Sequence, residues 1–201
     1  MIVRIIIMCK APVAGGVKTR LMSSYSAEQA AELHMAMATT VIERAKRLFD
    51  DVVIAADNCR HPFFRNFDLP LRSQGEGDLG QRMQKQILDA FVEGVSGVVL
   101  LGTDSPHMDD ERLLEAAEGL HTNDIVLGPV EDGGYDLLAI AKPWPLFEGV
   151  VWSSGQVLEQ TLHNIHQQGL SESLMPVSFD VDHPEDIDRA IQLGWDFSLP
   201  A

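Results

Sequence analysis

Apolar positions along the chain alternate between two spacings. Short unbroken runs occur at residues 2–8, Val52-Val53-Ile54-Ala55-Ala56, Val98 to Leu101 and Ile125-Val126-Leu127. Runs of this length predict strands buried on both faces of a sheet. Between them the spacing becomes helical. Met37, Val41, Ala45 and Leu48 form one stripe, and Leu79, Met83, Ile87 and Phe91 form a second, with Gln81, Arg82, Gln84 and Lys85 on its wet side. Residues 155–168 and Pro184 to Leu193 predict two more helices, the second with proline near its first turn, where a missing N–H costs little. Asp136 to Ala141 predicts a strand after the Gly133-Gly134 turn, and Met175 to Phe179 predicts a last short one. Pro70-Leu71-Arg72-Ser73 reads as a poor strand. Strands alternating with helices predict an α/β fold, a three-layer α/β/α Rossmann-like sandwich with a mostly parallel sheet.

At 201 residues the chain is long enough for one good core, so residues 1–201 are expected to form a single domain. A hydrophobic content of 45% excludes disorder. The formal charge of −15 argues against nucleic acid and against an anionic membrane surface. Any phosphorylated ligand must then be held by a few cations acting locally. Of the two cysteines, Cys9 ends the first apolar run and reads as a buried thiol. No zinc spacing is present. No run is long enough for a membrane span or a signal peptide, so a cytoplasmic location is expected.

Candidate chemistry gathers where strands end, because ligands of open α/β sheets bind beyond the carboxyl ends of the strands. The central strand runs into Gly102-Thr103-Asp104-Ser105-Pro106. Asp104 on that turn suits Mg²⁺ or Mn²⁺ held against a diphosphate; it equally suits a helix cap or a plain turn. The loop Lys10-Ala11-Pro12-Val13-Ala14-Gly15-Gly16-Val17-Lys18-Thr19-Arg20 follows the first strand. Gly15 and Gly16 allow close backbone approach, and Lys10, Lys18 and Arg20 supply charge for a phosphate cradle. It is not a Walker loop, since Val17 stands where glycine is required. Gly75-Glu76-Gly77-Asp78-Leu79-Gly80 has dinucleotide-fingerprint spacing but the wrong context; it reads as a helix entry whose Gly77 and Asp78 can still touch a nucleotide. In Glu131-Asp132-Gly133-Gly134-Tyr135, Asp132 can accept sugar hydroxyls or act as a base and Tyr135 can position an acceptor, although a hairpin turn needs no function. Period two puts Asp180 and Asp182 on one face, either one a second metal ligand; Asp182 with Glu185 also fits a capping box. Trp144 and Trp152 flank a loop able to cover a pocket. The seven histidines form no obvious site.

In order, the segments CKAPVAGGVKTRL, QGEGDLGQRM, GTDSPHM, LGPVEDGGYDLLAI and FDVDHPEDI resemble the bacterial GT-A-like family known as selenodomain-associated transferases. That family belongs with the nucleotide-diphospho-sugar transferases and is related to the phospholactate and molybdenum-cofactor guanylyltransferases. The resemblance spans nearly the whole chain. It implies a GT-A-type sandwich binding a nucleotide at its N-terminal half, with Lys18 and Arg20 on the phosphate loop, Asp104 on the metal-binding aspartate and Asp182 on the late metal-holding aspartate. The loop departs from the Gly-X-Ser-X-Arg pattern of the guanylyltransferases.

These readings lead to a metal-dependent transferase with Mg²⁺ or Mn²⁺ on Asp104 and Asp182. Its donor is a nucleotide or nucleotide-diphospho-sugar, and its acceptor a small molecule served by Asp132 and Tyr135. The alternatives are a nucleotidyltransferase that releases pyrophosphate from an NTP, and a non-catalytic nucleotide-binding module.

Overall fold

The computed structural model describes residues 2–197. Its strands are β1 (Val3–Cys9), β2 (Val52–Ala56), β3 (Leu71–Ser73), β4 (Gly97–Leu101), β5 (Ile125–Pro129), β6 (Tyr135–Ile140) and β7 (Glu172–Leu174). Its helices are α1 (Ala27–Leu48), α2 (Leu79–Val92), α3 (Asp110–Glu118), α4 (Val157–Gln167) and α5 (Pro184–Gln192). The strands form one seven-stranded sheet in the order β3-β2-β1-β4-β6-β5-β7. Pairing is parallel except around β6, which runs antiparallel to both β4 and β5.

Alternate residues of each strand face opposite layers. On one side, Ile5, Ile7, Val99 and Leu101 pack with Val41 and Ile42 of α1 and Leu113 of α3. On the other, Ile6, Leu100, Leu138 and Ile140 pack with Met83 and Ile87 of α2 and Ile165 of α4. The sheet is therefore covered on both faces, as the unbroken apolar runs require. A third cluster joins Leu21, just after the first loop, to Leu33 and Met37 of α1, Val181, Ile187 of α5 and Trp195. It fixes the loop after β1 against the segment before α5.

Two short segments depart from the sequence expectation. Leu71–Ser73 is a strand, paired in parallel with Ile54–Ala56. The last strand is Glu172–Leu174 rather than Met175 to Phe179, where only one bridge, Val130 to Ser178, forms. Both are three-residue edge strands, too short for a periodic signal and specified by the neighbour they pair with.

Candidate functional site

β1 and β4 are neighbours at the centre of the sheet, and both chains continue to the layer of α1 and α3. A cleft of about 660 Å³ opens beyond their carboxyl ends. Its lining includes Lys10, Gly16, Lys18 and Arg20 from the first loop, Asp104 after β4, Asp132 and Tyr135 at the β5–β6 turn, and Asp180 and Asp182 before α5. Gly15, Gly77 and Asp78 lie outside the lining.

Lys18 is the centre of this arrangement. Its ammonium lies 2.8 Å from Asp104 Oδ1 and 3.1 Å from Asp182 Oδ1, and donates to the Val181 carbonyl at 2.7 Å. Its side chain is only 5% exposed. Burial alone would lower its pKa, but Asp104 and Asp182 hold it above the ordinary lysine value. Lys18 also adopts a left-handed backbone conformation, φ 46°, an uncommon geometry for a residue with a Cβ that the surrounding contacts must sustain. Arg20 pairs with the other oxygen of Asp182.

Asp104 remains open to the cleft. Burial pushes its carboxyl upward, yet Lys18 more than offsets this and leaves it below the usual carboxylate range. Asp180 behaves oppositely. Burial and the charge of Asp104 raise its pKa, while Ser105 Oγ donates to it at 2.8 Å.

The structure distinguishes several capping roles from site roles. The cap of α3 is Asp109, which accepts from Arg112 N–H, so Asp104 is not a helix cap. His183 occupies the cap position of α5, and Asp186 rather than Glu185 accepts its N–H at 2.8 Å. The Asp182 carboxylate is thereby free to face Lys18 and Arg20. Asp78 does cap α2, in a reciprocal box with Gln81. Beside it Gly77 has φ +96°, and a Cβ there would stand 2.2 Å from Gln81 Oε1.

On the far side of the cleft the β5–β6 hairpin turns at Asp132-Gly133-Gly134. Asp132 is exposed, and one of its oxygens accepts from Gly134 N–H at 2.9 Å. Gly133 is fixed by close packing: a Cβ there would lie 2.1 Å from the Gly155 carbonyl. That contact seats the turn against the loop Trp152 to Gly155, which also lines the cleft. The Tyr135 hydroxyl points to Thr161 Oγ1 at 3.5 Å, and burial pushes its pKa up. Tyr135 is therefore a wall of the cleft, with its hydroxyl turned toward α4.

Other lining residues escaped sequence reasoning. His34 of α1 is 3% exposed, and its Nε2 lies 2.9 Å from the Lys10 carbonyl. Gln74, equally buried, donates to the Ala55 carbonyl and accepts from Arg82. Asp136 is locked to Arg112 through two hydrogen bonds of 3.0 and 3.1 Å. Each depends on partners distant in sequence, and Arg82 in addition sits on a helix face that reads as solvated.

Comparisons with known proteins agree with this architecture. Residues 40–154 match the model of the family described as "uncharacterized protein conserved in bacteria" (DUF2064). The chain belongs to this family. A candidate nucleotide-diphospho-sugar transferase from Desulfovibrio desulfuricans G20 is 29% identical, with a TM-score of 0.84 over 90% of this chain and 82% of that one. The fold recurs in CMP:2-keto-3-deoxy-manno-octonic acid synthetase complexed with CTP, at 11% identity and TM-score 0.64 over 96% and 98% of the two chains. It recurs again in a candidate glucose-1-phosphate thymidylyltransferase from Bacillus anthracis, at 14% identity and TM-score 0.60 over 99% and 98% of the two chains. No curated protein matches the sequence. The fold is that of nucleotide-utilising transferases, Rossmann-like with a mostly parallel sheet. Among the described residues no helix is long and apolar enough to cross a membrane.

Proposed function

We propose that the protein is a metal-dependent transferase using a nucleotide-diphospho-sugar donor. The observation that carries this reading is the Asp104–Lys18–Asp182 cluster, which lines the cleft beyond the carboxyl ends of β1 and β4. The similarity to the Desulfovibrio protein supports it.

The residues fit a small hard cation. Asp104 and Asp182 present carboxylate oxygens, the donor type that Mg²⁺ and Mn²⁺ prefer. Among the described residues no three His, Cys, Asp or Glu side chains form a metal cage. Two carboxylates suit an ion that completes its shell with water and substrate phosphate. Bound there, it would neutralise charge developing on the departing diphosphate.

The chain's own groups supply the rest. Lys18 is positioned to place a fixed positive charge beside the phosphates, and Arg20 to add a second at the mouth. Asp132 has an oxygen not used by the Gly134 N–H, suited to orienting or deprotonating an acceptor hydroxyl. Trp152 and Tyr135 wall that side of the cleft.

The test is calorimetric titration of nucleoside diphosphates in Mn²⁺ and in EDTA, with Asp104→Asn beside the wild type. Asp104→Asn should abolish the metal-dependent part of the affinity while the chain stays folded, with Lys18 still paired to Asp182. Unchanged affinity in Mn²⁺ would remove Asp104 from the metal. Turnover of a nucleotide-sugar panel should release free nucleoside diphosphate; pyrophosphate release from an NTP would identify nucleotidyl transfer instead.

A further inference from the structure

We propose that Arg82 is a phosphate-binding residue, held ready by Gln74, that grips the ligand's diphosphate from the side of the sheet opposite Lys18. The proposal rests on the nucleotide-binding reading above and adds a residue to it.

Arg82 lies on the first turns of α2 and lines the cleft. Among the described residues no carboxylate stands within ion-pairing distance of its guanidinium, whereas Lys18 and Arg20 are both paired with Asp182. A half-buried arginine without a counter-charge is unexpected in a chain of formal charge −15. Its orientation is nevertheless fixed. One terminal nitrogen donates to Gln74 Oε1 at 2.8 Å, and Nε donates to the Asp78 carbonyl at 3.3 Å.

Gln74 is itself anchored on both sides of its amide nitrogen. It is 3% exposed, and its Nε2 donates to the carbonyls of Ala55 and Cys9 at 2.9 and 3.3 Å. Its oxygen is left for Arg82 alone. Cys9 precedes Lys10, so the same contact ties Arg82 to the start of the phosphate loop. The second terminal nitrogen of Arg82 has no protein acceptor among the described residues.

α1 and α2 cover opposite faces of the sheet. Lys18 enters the cleft from the α1 side and Arg82 from the α2 side, above the end of β1. Two cations approaching from opposite faces suit an extended polyanion. Arginine's planar fork matches phosphoryl oxygens, and its rigid setting lowers the ordering cost of binding.

The experiment titrates inorganic pyrophosphate, then a set of nucleoside diphosphates and the matching nucleosides, in Mn²⁺. It compares wild type, Arg82→Gln, Arg82→Lys and Lys85→Gln. Lys85 is on the same helix, exposed and paired with Asp89, and serves as a charge control. Arg82→Gln should weaken pyrophosphate and diphosphate binding about 10- to 100-fold, as expected for loss of charge-assisted hydrogen bonds. Nucleoside binding should be unaffected. Arg82→Lys should recover part of the loss, and Lys85→Gln should match wild type. Equal losses for nucleosides and diphosphates would overturn the proposal in favour of base contact. Wild-type pyrophosphate binding that Arg82→Gln leaves intact, or that is absent altogether, would overturn it too. Arg82-dependent pyrophosphate binding with no gain from any nucleoside would keep the phosphate site and sink the nucleotide reading.

Discussion

Asp136 and Arg112 show how much one buried pair can control. Their side chains are 2% and 11% exposed, and the pair joins β6 to α3 at the wall of the cleft. Burial pushes the Asp136 carboxyl up to about 6 despite Arg112. A folded-state pKa raised above the ordinary 3.8 means that the folded chain binds a proton the unfolded chain has lost. This group's contribution to stability is thus complete below pH 3.8 and is lost as pH rises through about 6. Melting curves of wild type and Asp136→Asn, compared from about pH 4 to 7, should show the wild type losing ground as pH rises. A difference that is flat or of opposite slope would mean that Arg112 dominates. Removing the cation alone is harsher: Arg112→Leu leaves a buried carboxylate unpaired and should cost about 3–5 kcal/mol. The double change Arg112→Leu with Asp136→Asn should recover much of that. None of this was visible in the sequence, where Asp136 reads only as the start of a strand and nothing marks Arg112 as its partner. By contrast Asp104 was legible as a candidate because its turn closely follows an apolar run, and Asp132 and Asp182 because each lies in a polar turn beyond a segment that reads as a strand.

Helix ends carry the next layer of information. Asp78 and Gln81 satisfy each other's backbone N–H groups at the entry to α2, and Ser26 with Gln29 does the same for α1. The Gly77-Asp78 segment reads from sequence as a possible nucleotide contact, whereas the structure gives Asp78 a defined capping task outside the cleft lining. Asp78→Ala should therefore cost about 1 kcal/mol of stability. It should leave Mn²⁺-dependent diphosphate affinity within about twofold, since one net kcal/mol on the helix end need not move Arg82. A selective loss of affinity without a change in melting temperature would return Asp78 to the site. The long elements were legible because α1 and α2 carry whole stripes of buried residues, and β1, β2 and β4 unbroken apolar runs. The three-residue β3 and β7 were not: with so few side chains, pairing is decided by β2 and β5 rather than by their own pattern. Missing β3 also hid Gln74, the residue that follows it, and with it the orientation of Arg82.

At the scale of the whole molecule, the charge of the chain opposes its proposed ligand. The formal charge is −15, and the cleft itself is lined by five carboxylates (Asp104, Asp132, Asp136, Asp180, Asp182) against four cations (Lys10, Lys18, Arg20, Arg82). Lys18 and Arg20 are already engaged with Asp104 and Asp182. A free di- or triphosphate therefore meets repulsion at long range and attraction only at contact. The proposed divalent ion, bound between the carboxylates and the phosphates, would resolve that conflict locally without changing the distant field. The two ranges respond differently to salt. Screening falls from a reach of about 30 Å at 0.01 M to about 8 Å at 0.15 M, so added salt removes the distant repulsion first. In saturating Mn²⁺, the association rate of a fluorescent nucleoside diphosphate should thus rise or stay level as salt increases over that range. Enzymes that steer anionic substrates show a falling rate. The dissociation rate, set by Lys18, Arg82 and the ion at close range, should increase at the same time as those contacts weaken. Stopped-flow traces at several ionic strengths separate the two rates. A steeply falling association rate would show that Lys10 and Arg20, the exposed cations of the lining, outweigh the acidic body of the protein.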